Sequence, residues 1–203
     1  MARIGILGGT FNPPHLGHLV CAQEALVQLE LDRVVLIPTG VPPHKEVLAE
    51  PGAEHRVEMC RLATAKDERL AVSTLEVERP GPSFTVDTLK GIHATAAGDE
   101  LTFIVGGDMA YALPTWREPE AVLSMATVAI AARSGARRED IAERLADLRG
   151  GASARFFDMP RIDVSSSDIR RRVREGRPIR YLVPDDVVHY IGAQGLYRAE
   201  VAA

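Results

Sequence analysis

Apolar residues fall in short unbroken runs, separated by longer stretches where they recur at helical spacing. The runs at 4–7, 34–37, 101–105 and 127–132 do not alternate with polar residues. That pattern predicts strands buried on both faces. Residues 154–159 predict a further strand, and 70–77 one or two short ones. Between them, 16–31, 54–65, 85–97 and 138–149 carry helical periodicity, with Leu19, Leu26 and Leu29 among the apolar positions of the first. Two short helices are predicted in the tail, at 167–175 and 185–191. Repeated β-then-α units imply parallel strands joined by helical crossovers. The expected fold class is α/β: a Rossmann-like, doubly wound, mostly parallel sheet with helices on both faces and a small helical tail. No repeat, low-complexity tract or linker interrupts the pattern, so residues 1–203 are read as a single domain.

The chain of 203 residues, 46% hydrophobic and 26% charged, is long enough to bury a core without disulfide or metal staples. No apolar run approaches the roughly 20 residues of a membrane span. The first apolar stretch is too short for a signal-peptide core, so a cytoplasmic location is expected. A net charge of -4 gives no reason to expect nucleic acid or an anionic membrane as partner. Cys21 and Cys60 both sit in helical patterns outside any metal-ligand spacing and are expected as buried thiols. Basic charge is uneven. Arg170, Arg171, Arg172, Arg174, Arg177 and Arg180 crowd one segment, which is either a solvated helix face or something more specific.

A parallel α/β sheet binds ligands outside the carboxyl ends of its strands, near a switch in strand order. The first such loop, residues 8–18, reads GGTFNPPHLGH and opens the first long helix. Gly8 and Gly9 let the backbone approach a bulky anion. The helix start offers free amides and partial positive charge. His15 and His18 stand three apart, so both can face one side of that start. Imidazole in either charge state donates hydrogen bonds to phosphate oxygens. Neither a G-x-G-x-x-G fingerprint nor a P-loop is present. Two histidines with no nearby carboxylate do not complete a metal site. Capping and core packing by the histidines is the alternative.

This loop resembles the signature of the H-x-G-H nucleotidyltransferases, a group of adenylyl- and cytidylyltransferases. Further segments narrow the resemblance: IPTGVPPHK at 37–45, GPSFTVDT at 81–88, FIVGGD at 103–108 and LPTW at 113–116. In the tail, IDVSSSDIR at 162–170, YLVP at 181–184 and GLY at 195–197 continue it. In this order, over essentially the whole chain, they resemble the bacterial nicotinate-nucleotide adenylyltransferases. That family usually carries Asp where this chain has Asn12, and often Asn where it has Thr39. Asn12 hydrogen-bonds but cannot serve as a carboxylate, and Thr39 has a shorter reach than Asn.

The resemblance implies that the 5′-phosphate of nicotinate mononucleotide attacks the α-phosphorus of ATP. The products are deamido-NAD and pyrophosphate, a step of NAD biosynthesis. Mg²⁺ would arrive with ATP, with no metal held by the protein directly. The nucleophile is already ionised, so catalysis must come from alignment and charge neutralisation rather than a strong base. By resemblance, His18 lies near the α-phosphate and His15 on the other phosphates, the two catalytic residues. Gly8, Gly9, Thr10 and Phe11 line the nucleotide loop. Gly106 and Asp108 follow a strand on the ATP side; Asp108 suits a ribose or a metal-linked water, or else caps a helix. Ser165, Ser166, Ser167 and Arg170 form a second phosphate cradle, which is compatible with N-capping by a serine.

On the acceptor side, the resemblance implies that Trp116 stacks on the nicotinate ring, with packing in the core as the alternative. Thr85 and nearby amides meet the nicotinate carboxylate. His44 and Lys45, with Thr39 beside them, suit the mononucleotide phosphate, and Arg133 meets substrate phosphate. The expected partners are ATP and nicotinate mononucleotide, with a homo-oligomer left open. Two other readings remain at this stage. A phosphopantetheine adenylyltransferase shares the loop but needs neither Trp116 nor the Thr85 segment. A non-catalytic nucleotide-sensing module on the same fold has no need of His18.

Overall fold

The computed structural model of the protein describes residues 1–42, 51–96, 98–132 and 138–198. Six strands form one sheet: β1 (Arg3–Gly9), β2 (Arg33–Pro38), β3 (Leu70–Val72), β4 (Glu100–Gly106), β5 (Thr127–Ala132) and β6 (Arg155–Asp158). Their order is β3-β2-β1-β4-β5-β6, and every neighbouring pair is parallel. The winding reverses between β1 and β4, which makes their carboxyl ends the switch point.

The unbroken apolar runs have a direct cause in this architecture. On β1, Ile4 and Ile6 face one core and Leu7 the other. On β4, Phe103 and Val105 face the first and Ile104 the second. The second core is closed by α1 (Leu16–Gln28), through Ala22, Ala25 and Leu26, and by Cys60 of α2 (Ala53–Thr64). The first is covered by α4 (Thr85–Thr95), α5 (Gly107–Ala112), α6 (Pro119–Met125) and α7 (Arg138–Ala146). A short α3 (Leu75–Glu78) precedes α4. The tail helices α8 (Ser166–Arg174) and α9 (Asp185–Ala193) build a third cluster against Met59 of α2, containing Ile169, Val183, Val187, Ile191 and Tyr197.

Several boundaries differ from the sequence reading. α1 stops at Gln28 rather than 31, because Glu30 takes a left-handed φ of 52° and the Leu31 amide turns back to the Leu26 carbonyl. Residues 70–77 hold one strand, not two. The alternating Leu75, Glu76, Val77 segment forms the single helical turn α3, which buries Glu76. α7 ends at Ala146, three residues early. α5 and α6, of six and seven residues, are too short to show periodicity. Among the described residues, no helix is long and apolar enough to cross a membrane. Cys21 and Cys60 are both buried, as expected.

Candidate active site

β1 delivers Gly8 and Gly9 to the switch point, and the chain turns into α1 with His15 as N-cap. The His15 amide donates to His18 Nδ1 at 3.1 Å. The two rings stack with centroids 3.8 Å apart, and the Phe11 ring meets His18 edge-on at 4.9 Å. An Nδ1 that accepts carries no proton, so the neutral ring keeps its hydrogen on Nε2. Burial, with His15 adding to it, pulls the His18 pKa from the ordinary 6.5 to about 3. His18 is therefore a neutral Nε2–H donor rather than a cation. The glycine inside the motif has a steric cause: a Cβ on Gly17 would lie 3.0 Å from the His15 ring.

The tail clamps this loop from the other side. Ser166 Oγ donates to the Pro13 carbonyl at 2.8 Å. Arg170 donates from Nη1 to the Asn12 carbonyl at 2.7 Å and from Nη2 to Ser167 Oγ at 3.2 Å. Ser165 caps α8, its Oγ accepting from the Asp168 amide. The two helix starts thus converge on Asn12–Pro13. The Asn12 side chain is buried, and its Oδ1 accepts from the Tyr197 hydroxyl at 2.5 Å. At this position an amide anchors the loop to the tail without burying a negative charge.

Gly106, not Asp108, caps α5; Asp108 lies exposed in its first turn. Trp116 is half-buried, edge-on to Phe103 at 6.0 Å, and Phe103 underlies Gly8. Thr85 is the first residue of α4. The Thr39 amide donates to the Gly9 carbonyl at 2.9 Å, which ties the end of β2 to the signature loop just before Thr10 and Phe11. His44, Lys45 and Arg133 lie outside the described residues.

Three residues here were not among the sequence candidates. Arg56 is 2% exposed and donates to the Thr10 carbonyl at 2.9 Å and the Gly40 carbonyl at 3.5 Å. It bolts the loops after β1 and β2 together. The signal was present, since Arg56 stands on the stripe of α2 that buries Val57, Met59 and Cys60. Glu76 and Ser83 form a second buried polar link beneath the start of α4. A concavity at the opposite, amino-terminal end of the sheet, lined by Arg3, Leu31, Glu100 and Arg155, holds none of these groups.

A strand-order switch with an H-x-G-H loop between two helix starts defines a nucleotidyltransferase site. The chain belongs to the cytidylyltransferase-like family, which it matches over residues 6–172. Within that family it groups with the nicotinate-nucleotide adenylyltransferases. A relative from Roseiflexus sp., named a probable nicotinate-nucleotide adenylyltransferase, is 46% identical over 97% of this chain and 98% of its own length. Another from Thermus thermophilus is 44% identical over 97% of this chain and all of its own. The fold is shared with the Plasmodium falciparum nicotinic acid mononucleotide adenylyltransferase complexed with NaAD. That protein is 17% identical, with a TM-score of 0.77 over 97% of this chain and 98% of the other.

Proposed function

We propose that this protein transfers the adenylyl group of ATP to nicotinate mononucleotide, giving deamido-NAD and pyrophosphate for NAD biosynthesis. The observation that carries the reading is His18 at the switch point, held neutral by burial and by His15, with the His15 amide on Nδ1 fixing the tautomer that leaves Nε2–H for a phosphate. Such a ring stabilises charge on the α-phosphate and cannot act as a base through Nδ1. That matches a reaction whose nucleophile is already ionised. His15, Gly8, Gly9, Thr10 and Phe11 line the triphosphate side. Gly106 and Asp108 bound the ribose side, and Ser165, Ser166, Ser167 and Arg170 close it from α8. Thr39, Thr85 and Trp116, with His44, Lys45 and Arg133, make up the acceptor side.

Among the described residues, no group of three His, Cys, Asp or Glu side chains could hold a metal ion. A Mg²⁺ ion would arrive bound to the triphosphate, and Asp108, exposed in the first turn of α5, would meet its water shell. The ion would supply charge neutralisation on the phosphates. The test of the whole reading is pyrophosphate release by the purified protein with ATP, Mg²⁺ and each candidate acceptor. Release with phosphopantetheine and none with nicotinate mononucleotide would replace it.

Nicotinate mononucleotide is expected to exceed its nicotinamide counterpart in kcat/KM by at least about tenfold. Without a carboxylate, first-turn amides of α4 lose an acceptor, and each unpaired buried donor costs roughly 1–3 kcal/mol. Equal kcat/KM for the two acceptors rejects this pocket. Trp116→Ala is expected to raise KM for the mononucleotide about 5- to 150-fold, on the scale of base–aromatic stacking, and to leave KM for ATP within about twofold. Equal changes for both substrates would assign Trp116 to the Phe103 cluster alone.

A further inference from the structure

We infer that Glu76, acting through Ser83, is the positioning residue that fixes the acceptor half of the site; this rests on the adenylyl-transfer reading above. Glu76, Ser83 and Thr88 are all buried. The Glu76 carboxylate accepts from Thr88 Oγ1 at 2.7 Å, and the Ser83 hydroxyl and the Gly40 amide beside it favour its charged form. Ser83 Oγ accepts in turn from the amides of Gly40 at 3.1 Å and Val41 at 3.3 Å. A hydroxyl has one proton to give. With two amides donating to its oxygen, that proton goes to Glu76. The carboxylate thereby sets the orientation of Ser83, and Ser83 holds the backbone that leaves β2.

The link joins two segments of the proposed acceptor pocket. Residues 39–41 carry Thr39, and 83–85 carry Thr85. The Ser83 amide donates to the Val41 carbonyl at 2.7 Å, and Val41 bridges Pro82 as an isolated parallel pair. The approach is close: a Cβ on Gly40 would lie 2.2 Å from the Glu76 carbonyl oxygen. Glu76 makes no ion pair among the described residues; Arg79 reaches it only by way of Thr88, at 3.2 Å. Burial accordingly raises the Glu76 pKa. A buried carboxylate without an ion pair is unfavourable unless its neighbours demand it. Here they do, because every polar group converging on it is a donor. Glutamine keeps one acceptor oxygen but must turn its NH2 either toward Ser83 and Gly40 or toward Thr88 Oγ1, which Arg79 already reaches, so one side of the link loses its acceptor.

The test uses Glu76→Gln, Ser83→Ala and the double variant in the full chain, with steady-state kinetics for both substrates and thermal melting. Each single variant is expected to raise KM for nicotinate mononucleotide about tenfold and to leave KM for ATP within about twofold. The double variant should resemble either single one, because both break one link. Where Glu76→Gln fails to fold, Ser83→Ala carries the test, since it removes one oxygen and leaves the carboxylate bonded to Thr88. Unchanged acceptor KM, equal effects on both substrates, or additive effects overturn the inference. A wild-type protein that transfers nothing to nicotinate mononucleotide overturns this inference and the functional reading together. Normal wild-type transfer with unaffected variants overturns this inference alone.

Discussion

His18→Ala is expected to lower kcat at least about 100-fold, the scale for losing one preorganised donor to transition-state charge. The donor is preorganised because the His15 amide occupies Nδ1 and fixes the tautomer, while the Phe11 edge and the His15 ring fix the plane. The variant should stay folded. It loses one acceptor for the His15 amide, worth about 1 kcal/mol, which corresponds to a melting shift of only about 2–4 °C at this chain length. The pH behaviour separates this role from that of a general base. With a pKa of about 3, His18 stays neutral in the free protein from pH 5 to 9 and contributes no inflection to kcat/KM there. A His18 ring that nitrogen-detected NMR finds protonated at pH 6 contradicts the assignment, as does near-normal turnover of His18→Ala.

The sheet was legible in the sequence because its four central strands are buried on both faces, so each left a run of apolar residues without strict alternation. The loop at 8–18 was legible because glycines, prolines and histidines at a strand-to-helix turn have few other uses. What the sequence could not show is which atoms are already taken. The resemblance places His18 on a phosphate, but only burial makes the ring neutral, and only the His15 amide at Nδ1 turns its remaining N–H outward as a donor. The departure at Asn12 reads from sequence as a lost charge. In the structure it is a link from the loop to Tyr197, 185 residues away in the chain. Contacts of that range leave no local pattern. Glu76 was hidden for a different reason: its segment alternates like a strand, and tertiary hydrogen bonds from Thr88, Ser83 and Gly40 outweigh that local pattern.

The arginine run gives the second large effect. Arg170→Ala is expected to reduce kcat/KM for ATP about 10- to 100-fold, whereas Arg171→Ala should change it by less than about twofold. One helix, one charge and one residue of spacing separate the two. Ile169 is buried and Val173 packs against the tail cluster, so α8 docks by that stripe. Arg171 points away, exposed and paired with Asp168. Exposed pairs of this kind are worth only about 0–1 kcal/mol. Arg170 lies at the border of the stripe and reaches the signature loop. Two of its five N–H donors go to the Asn12 carbonyl and Ser167 Oγ, which leaves three for a phosphate. A charge-assisted bond to that phosphate is worth roughly 1.5–3 kcal/mol. Arg170→Lys distinguishes charge from geometry, because lysine keeps the charge but cannot span two acceptors as a rigid fork. It should recover part of the ATP term and little of the hold on Asn12, so kcat/KM is expected to fall between wild type and Arg170→Ala. Should Arg170→Ala and Arg171→Ala instead show the same KM for ATP, the run acts as a diffuse positive field, and the phosphate cradle at the start of α8 has to be given up.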